Sequence, residues 1–351
     1  MEKKSRKSFG EIAASLAATA IKVGPPVAAA VISEKMFDHR IETFDPMYFQ
    51  IEDFPGLKRE RHVFTSNYNQ KLVGYIYYRE SIKKDALVVL AHGYGGGGQR
   101  TYMDCINNLC LNGFYVFAYD ATGNDESEGE EIGGFPQGII DLNHAIHYIG
   151  NEKHYRHLPI VLFGHSWGGY CVSNSLKDNP QVKAIVAISG FNNSSELIKI
   201  RGEGYGGNSA DNIYPFLVAQ EELKFGKYAD YNALDSFAKS KQPVFIIHSG
   251  DDNVVPYLAG YKKYYEVYKY DPRFKFMLYE NRGHGTVYYN DKAVAYTREF
   301  EKKWDKFNKE KHTEEEKRDF INQNIDRNYW SNRIDKQLFK EIVEFYREAL
   351  K

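Results

Sequence analysis

A serine flanked by glycines follows an apolar run near the middle of the chain. The motif Gly-His-Ser-Trp-Gly-Gly occupies residues 164–169, directly after the apolar residues 159–163 and before a helix-length segment at 170–177. A serine hydroxyl becomes a useful nucleophile only where it is exposed, held rigidly and placed beside a base. A sharp strand-to-helix turn does this, and its crowding demands glycine two residues before and two after the serine. The spacing therefore predicts Ser166 as a nucleophile for acyl transfer.

An acid and a base follow later in the chain. Asp251 and Asp252 come after the apolar run 243–248, and His284 lies between two glycines after the last predicted strand. A carboxylate orients the imidazole that takes the serine proton. Asp252 is predicted as the acid because of its offset from the Val-Pro pair at 255–256; the alternative is that both aspartates merely cap the next helix. The order Ser, Asp, His along the chain is the one expected of a strand–helix hydrolase.

A glycine-rich loop is the fourth element. The apolar run 86–91 leads into His-Gly-Tyr-Gly-Gly at 92–96. Acyl transfer builds negative charge on the carbonyl oxygen, which fixed backbone N–H groups must meet. We expect the N–H groups of Tyr94 and Trp167 to form this oxyanion hole.

The same loop permits an interpretation from another class. Residues 93–98 fit the pattern G-x-G-x-x-G after a strand and before a helix, and Asp120 ends the next predicted strand, where a ribose-binding acid would lie. A nucleotide-binding oxidoreductase is therefore an alternative, as is a non-catalytic binding protein on the same fold. A predicted hairpin at 59–80 precedes the loop, whereas the dinucleotide fingerprint usually follows the first strand, and the Ser, Asp and His elements would have no purpose.

Short apolar runs alternate with helix-length segments along most of the chain. A hairpin is predicted with strands at 59–66 and 71–80 and its turn at 67–70. The later strands are predicted at 86–90, 114–119, 159–163, 182–189, 243–248 and 275–279, with helices such as 99–112 and 137–149 between them. Nearly continuous apolar runs are typical of strands buried on both faces. This alternation predicts a parallel sheet covered by helices on both sides.

Two segments depart from the alternation. About fifty residues separate the strand ending near 190 from the strand starting at 243, far more than a usual connection. We expect a cap over the active site at about 191–240, bearing the aromatic residues Phe191, Tyr205, Tyr214 and Phe216. Beyond residue 302 the chain is charged and helical, and an apolar face is predicted on the last helix from Ile334, Leu338, Ile342 and Phe345.

Composition limits the partners. Lys and Arg total 46 against 47 Asp and Glu, so no global charge attracts nucleic acid. The three cysteines, Cys105, Cys110 and Cys171, lack the spacing of a disulfide framework or a zinc site. They are predicted to be buried thiols, which favours a reducing, cytoplasmic compartment. No metal or organic cofactor is expected.

The first residues leave their role open. A basic start at residues 3–7 precedes an Ala-rich stretch at 12–21, and Pro25-Pro26 separates it from a second apolar run at 27–32. These features resemble a secretory signal, but the charges and the proline pair argue against a spanning helix. The alternatives are an amphipathic helix on the fold and membrane association through residues 1–32.

The segment from about residue 59 to 307 resembles the α/β-hydrolase superfamily, most closely its esterase, monoglyceride-lipase and serine-aminopeptidase-like branch. The motifs that carry the resemblance are His92-Gly93-Tyr94-Gly95, Asp120-x-x-Gly123-x-x-x-Ser127-x-Gly129, the Ser166 motif, Asp252-x-x-Val255-Pro256 and Gly283-His284. The resemblance implies an eight-stranded, mostly parallel sheet with a cap after the sixth strand. It divides the chain into an N-terminal segment (1–40), a hydrolase domain (41–310) and a helical extension (311–351). Trp167 stands where this branch often has methionine, and its bulk is expected to narrow the pocket.

These residues together predict a serine esterase. Its substrate is expected to be a small carboxylic ester with a modest acyl chain, because the resemblance and the aromatic cap both favour one. A peptidase or amidase is the alternative, since the same triad cleaves both kinds of bond.

Overall fold

The computed structural model describes residues 24–44, 46, 48–95, 98–206 and 209–351. The predictions made for residues 1–23, including the Ala-rich stretch, lie outside the described residues, as do Gly96 and Gly97 of the glycine loop. The side chain of Tyr205 is also outside the description.

One sheet of eight strands carries the fold. The strands are β1 (Lys58–Thr65), β2 (Lys71–Tyr78), β3 (Ala86–Ala91), β4 (Phe114–Tyr119), β5 (Ile160–His165), β6 (Val182–Ile188), β7 (Val244–Ser249) and β8 (Phe274–Tyr279). Their order is β1-β2-β4-β3-β5-β6-β7-β8. The pairs β1–β2 and β2–β4 are antiparallel, and the remaining pairs are parallel. The predicted eight-stranded, mostly parallel sheet is confirmed.

The burial of the strands follows their sequence. β3, β5 and β7 are apolar nearly throughout and are buried along their whole length, as central strands covered on both faces must be. β1 lies at the edge of the sheet and carries the charged run 58–61, whose residues are exposed.

Helices cover both faces. They are α1 (Pro25–Phe37), α2 (Met103–Leu111), α3 (Phe135–Asn151), α4 (Trp167–Ser175), α5 (Ser194–Gly206), α6 (Ser209–Phe225), α7 (Ala233–Ala238), α8 (Tyr261–Tyr268), α9 (Asp291–Phe307), α10 (Glu314–Asn324), α11 (Arg327–Trp330) and α12 (Lys336–Ala349). Leu142 of α3 and Val172 of α4 belong to the core on one face of the sheet, whereas Ile106 of α2 and Ile342 of α12 belong to the core on the other. The sheet therefore separates two apolar layers.

The last helix packs on the central strands, although its buried face differs from the predicted one. α12 begins at Lys336, so Ile334 lies outside it, and Phe345 is only half-buried. The residues of α12 that are buried are Leu338, Phe339, Ile342, Val343 and Tyr346. The hydroxyl of Tyr346 donates a hydrogen bond to the carbonyl of Leu162 in β5 (2.7 Å). The predicted spacing identified two of the five buried positions, because it followed only one row of the helix.

The N-terminal helix α1 packs against α6 of the insertion that follows β6. Pro25 and Pro26 begin this helix, where a missing N–H and a fixed φ cost nothing. Lys224 of α6 lies 2.5 Å from Glu131 and 3.6 Å from Asp38, and so joins the insertion to a core loop and to the end of α1. Within the described ranges, no helix combines the length and the apolar character needed to cross a bilayer.

The residues 191–240 between β6 and β7 contain α5, α6 and α7. That this insertion covers the active site, and that the chain divides at residues 40 and 310, stay predictions.

Candidate active site

Ser166 lies at a strained turn between β5 and α4. Its φ is 58° and its ψ −117°, a left-handed conformation that serine rarely adopts. A Cβ atom added at Gly164 would lie 2.2 Å from the Gly168 carbonyl oxygen, and one added at Gly168 would lie 1.9 Å from the Ala91 carbonyl oxygen. Only glycine fits at these two positions, which is the physical reason for the spacing seen in the sequence.

The structure brings Ser166, His284 and Asp252 together. The Ser166 hydroxyl lies 2.8 Å from Nε2 of His284, and Nδ1 of His284 lies 2.7 Å from Oδ2 of Asp252. His284 follows β8 and Asp252 follows β7, so both loops leave the carboxyl ends of parallel strands. The arrangement lets Nδ1–H donate to the carboxylate while Nε2 accepts the serine proton.

Asp252 has a structural task as well. Its Oδ1 accepts hydrogen bonds from the backbone N–H groups of Val254 (2.9 Å) and Val255 (2.8 Å). These bonds hold the loop that follows β7, whereas the 3₁₀ helix Tyr257–Ala259 has no side-chain cap, so the capping alternative is wrong. The other oxygen of Asp252 faces His284. Asp251 accepts instead from the Ser249 hydroxyl (2.6 Å) and from the Gly283 N–H (2.7 Å), and does not bond the imidazole.

A second histidine lies beside Asp252 that the sequence did not indicate. Nε2 of His248 donates to the carbonyl of Val255 (2.9 Å) and lies 3.3 Å from Oδ2 of Asp252, and His248 is fully buried. Burial alone would raise the pKa of Asp252, but the hydrogen bonds from His248 and His284 outweigh it and hold that pKa below its ordinary value. The signal available in the sequence was its position at the end of β7, four residues before Asp252.

The two predicted oxyanion donors belong to segments next to the nucleophile, one on the loop after β3 and one at the start of α4. Trp167 is the first residue of α4, where a backbone N–H has no partner within the helix and the helix dipole is positive. On the loop after β3, a Cβ atom added at Gly93 would lie 3.4 Å from Cβ of Ser166, so this loop passes close to the nucleophile. The Gly93 N–H donates to the Tyr102 hydroxyl (3.0 Å), and Tyr94 is the next residue of this loop, so its N–H stays a predicted donor.

The Trp167 side chain does not narrow an open pocket, contrary to the sequence expectation. It is 1% exposed, and its indole N–H donates to the Phe135 carbonyl (2.8 Å). A Cβ atom at Gly138 would lie within 2.7 Å of the indole, so the absence of a side chain at Gly138 makes room for it in the core.

An aromatic cluster lies beneath the oxyanion loop. The Tyr94 ring packs edge-on against Phe37 (6.1 Å), Phe135 (5.6 Å) and Trp167 (6.1 Å). Its hydroxyl donates to the backbone carbonyl of Met36 at the end of α1. The loop that carries a candidate oxyanion donor is thus anchored to the N-terminal helix.

The aromatics predicted to line the cap have different environments. Phe191 is 1% exposed and stacks on Tyr170 with ring centroids 4.5 Å apart, so it belongs to the core. Tyr214 is half-buried, and Phe216 is exposed. Phe216 therefore presents part of its ring to solvent, whereas Phe191 does not.

The nucleotide-binding interpretation is wrong, because Asp120 is not accessible to a ribose. Asp120 is 1% exposed, and its Oδ1 accepts the backbone N–H of Gln99 (3.0 Å). A Cβ atom at Gly98 would lie 2.1 Å from the same oxygen. The Asp120 carboxyl group therefore binds the glycine loop from the protein interior and is not available to a ribose. Burial raises the pKa of Asp120 to about 7.

The three cysteines are buried free thiols, as predicted. In the described part of the chain, no group of three or more His, Cys, Asp or Glu side chains could hold a metal ion.

Comparison with known proteins points to one superfamily. Residues 82–201 match the family described as serine aminopeptidase, S33, a segment that contains Ser166 but neither Asp252 nor His284. Monoglyceride lipase of Rattus norvegicus is 33% identical over 95 residues, which cover 26% of this chain and 30% of that protein. A monoglyceride lipase homolog of Monkeypox virus is 28% identical over 127 residues, covering 35% of this chain and 45% of the relative. The chain thus spans less than half the length of these curated relatives.

A solved structure extends the likeness over most of the chain. An esterase of Pyrococcus furiosus superimposes with a TM-score of 0.53 at 19% identity, covering 79% of this chain and 95% of that one. At this identity the likeness concerns the fold.

Proposed function

We propose that this chain, which is similar to the S33 branch of the α/β-hydrolase superfamily over residues 82–201 and has the fold of a hydrolase, is a serine hydrolase that cleaves carboxylic esters. The observation that carries the proposal is the pair of hydrogen bonds linking Ser166, His284 and Asp252, at 2.8 and 2.7 Å. Three side chains from three separate loops meet in the donor–acceptor order that acyl transfer requires.

The reaction proceeds in two steps. Nε2 of His284 takes the proton from Ser166, whose oxygen attacks the ester carbonyl, and the imidazolium then protonates the departing alcohol. Water hydrolyses the acyl-enzyme with His284 again as the base. Asp252 holds the Nδ1–H tautomer throughout. The buried carboxylate stays ionised, since its hydrogen bonds keep its pKa low, and so it stabilises the imidazolium.

The N–H groups of Tyr94 and Trp167 stabilise the oxyanion. Both are backbone donors, one on a loop fixed to α1 through the Tyr94 hydroxyl and one at the start of α4. Donors that are held in place before reaction need no reorganisation when charge develops, and losing one typically costs about a hundred- to a thousandfold in turnover.

A serine peptidase or amidase is the second candidate, and the match of residues 82–201 to the serine aminopeptidase family favours it. The likeness to monoglyceride lipases and to an esterase supports ester cleavage instead. We therefore propose a small-molecule ester as the substrate. The peptidase alternative is tested by comparing the hydrolysis of amino-acid nitroanilides with that of nitrophenyl esters.

Reaction with a fluorophosphonate probe tests the nucleophile. We expect the wild type to be labelled and to hydrolyse nitrophenyl esters, and Ser166→Ala to do neither. The matched control is Ser173→Ala in the same helix, where the hydroxyl bonds only the Gly169 carbonyl (2.8 Å); it should label like the wild type. A folded wild type that neither labels nor cleaves esters or nitroanilides contradicts the proposal, and faster cleavage of nitroanilides than of esters favours the peptidase.

A cytoplasmic location is proposed from the three buried thiols, with peripheral membrane contact through residues 1–32 as the alternative. Fractionating cells that express the full chain, and cells that express a chain lacking residues 1–23, separates the two. Release from the membrane on deletion favours membrane contact.

A further inference from the structure

His165, directly before the nucleophile, uses both of its ring nitrogens. The residue is 5% exposed. Nδ1 lies 2.8 Å from the Tyr102 hydroxyl, and Nε2 lies 3.0 Å from the backbone carbonyl of His284. The ring is thus in contact, through a single hydrogen bond, with the main chain of the proposed general base.

The donor and the acceptor in each hydrogen bond around the His165 ring follow from the atoms involved. The Gly93 N–H lies 3.0 Å from the Tyr102 oxygen and can only donate to it. The Tyr102 hydroxyl proton is then free to point at Nδ1 of His165, which must be unprotonated to accept it. The His284 carbonyl can only accept, so Nε2 of His165 carries the proton. All four groups are satisfied by one arrangement, a neutral Nε2–H imidazole.

This chain of three hydrogen bonds, from the Gly93 N–H through Tyr102 and His165 to the His284 carbonyl, is called here the Gly93–His284 relay. It joins the loop of the proposed oxyanion donor to the loop of the proposed base, across elements far apart in sequence. Tyr102 and His165 are both buried, so water does not compete for these bonds.

The surroundings keep the relay in one protonation state. Burial, together with the nearby His284, lowers the pKa of His165 to about 3. Burial likewise raises the pKa of the Tyr102 hydroxyl above its ordinary value. The imidazole therefore stays neutral and the phenol stays protonated at the pH where an enzyme works, and the bonds keep their direction.

We propose that His165 and Tyr102 are positioning residues that set the distance between the oxyanion loop and His284, a role that rests on the proposed function. Neither residue touches the reacting atoms. The relay fixes the Gly93 backbone next to Tyr94 N–H at one end and the His284 backbone at the other. Because a displacement of about 1 Å costs about a hundredfold in rate, an error at either end slows the chemistry without changing which groups perform it.

Tyr102→Phe tests the relay, because it removes one hydroxyl and leaves the ring. We expect kcat for a nitrophenyl ester to fall about tenfold to a hundredfold, with little change in KM. The matched control is Tyr288→Phe, whose ring packs 5.3 Å from the His165 ring and 6.3 Å from the Tyr102 ring but whose hydroxyl is outside the relay. If the two variants lose kcat equally, or if Tyr102→Phe raises KM alone, the relay is not a positioning device.

Two substitutions of His165 by residues with an amide side chain test the two hydrogen bonds of its ring separately. In His165→Asn the amide oxygen takes the place of Nδ1 and still accepts from Tyr102, whereas in His165→Gln the amide N–H takes the place of Nε2 and still donates to the His284 carbonyl. Each should keep more kcat than His165→Leu, which keeps neither bond. Equal losses in all three, at equal thermal stability, would overturn the proposal.

A measurement independent of activity separates this proposal from the proposed function. In ¹⁵N-histidine-labelled wild type, the resonances of His165 (assigned by their absence in His165→Asn) should show an unprotonated Nδ1 and a protonated Nε2 between pH 5 and 8. Tyr102→Phe should shift the Nδ1 resonance, and Tyr288→Phe should leave it in place. A protonated Nδ1 in the wild type refutes the relay even if the enzyme hydrolyses esters. An inactive wild type with the expected resonances refutes only the proposed function.

Discussion

Replacing Asp252 by asparagine changes the carboxylate without removing the atom that holds its loop. Oδ1 accepts from the N–H groups of Val254 and Val255, and the amide oxygen of asparagine can take over both bonds. The amide NH₂ must then face Nδ1 of His284, where Oδ2 of the carboxylate lies at 2.7 Å. Two donors cannot face each other, so His284 has to give up its Nδ1 proton and carry it on Nε2 instead. In that tautomer it can no longer accept the proton of Ser166.

The expected loss follows from this tautomer. An asparagine in place of the triad acid lowers kcat by about 10⁴ in a serine protease, which corresponds to about 5 kcal/mol in the barrier. We expect a similar loss for Asp252→Asn, together with a fall in the urea midpoint that is too small to unfold the protein: the loop keeps its two backbone hydrogen bonds, but the amide NH₂ also faces the Nε2–H of His248. Stopped-flow or steady-state hydrolysis of a nitrophenyl ester measures the first quantity, and urea unfolding measures the second.

Asp251→Asn is the matched control. Asp251 accepts from the Ser249 hydroxyl and the Gly283 N–H with Oδ1, which asparagine keeps, and its Oδ2 pairs with Arg298 (3.1 Å) and not with the imidazole. Its replacement should therefore cost at most about 1 kcal/mol of stability and little kcat. The reasoning is refuted if Asp252→Asn keeps most of its kcat, if its kcat falls only as far as the folded fraction does, or if Asp251→Asn is the variant that loses activity.

Two further predictions concern stability. Gly168→Ala should lower the free energy of unfolding by more than about 3 kcal/mol, because its Cβ would lie 1.9 Å from the Ala91 carbonyl oxygen, while Gly285→Ala, with no atom within 4 Å, should change it by less than about 0.5 kcal/mol. Equal urea midpoints for the two variants would contradict this. Glu221 is buried with one oxygen bonded by Ser194, and burial raises its pKa from 4.5 to about 7. The folded state thus binds a proton that the unfolded chain releases, so stability falls as pH rises through this window, and Glu221→Gln should gain up to about 3 kcal/mol over the wild type at pH 8 but nothing below pH 4.5. A gain that does not vary with pH would show that the charge is not its cause.

Local steric and burial requirements explain what the sequence predicted well. The strands β3 to β8 were located to within one or two residues. For the buried strands β3 to β7 the reason is that a run covered on both faces has to be apolar nearly throughout, whereas β8 is an edge strand that is only partly buried. The turn at Ser166 was predicted because the close approaches at Gly164 and Gly168 exclude any other residue. Asp252 and His284 were found because each had to follow a strand in a fixed order, and the structure brings them to Ser166.

Contacts between distant segments explain what was missed. Tyr102 and His165 are 63 positions apart, and no pattern near either residue indicates the bond between them. The segment 99–112 was predicted as one helix, but its first turn, Gln99–Tyr102, is a 3₁₀ helix. The anchoring of Tyr94 to Met36 depends on how α1 docks, which side-chain periodicity does not determine.

The hydrogen bond from Tyr346 to Leu162 has a consequence for the order of folding. These residues lie 184 positions apart, yet Leu162 is in the strand that ends immediately before the nucleophile turn. During synthesis, this face of β5 lacks its contacts with α12 until α12 has left the ribosome, and apolar surface that stays exposed in that interval promotes aggregation. A contact between residues so far apart forms late, because the loop-closure entropy has to be lost before the contact stabilises the core. The strand that leads into the nucleophile turn therefore gains this contact only after α12 has docked.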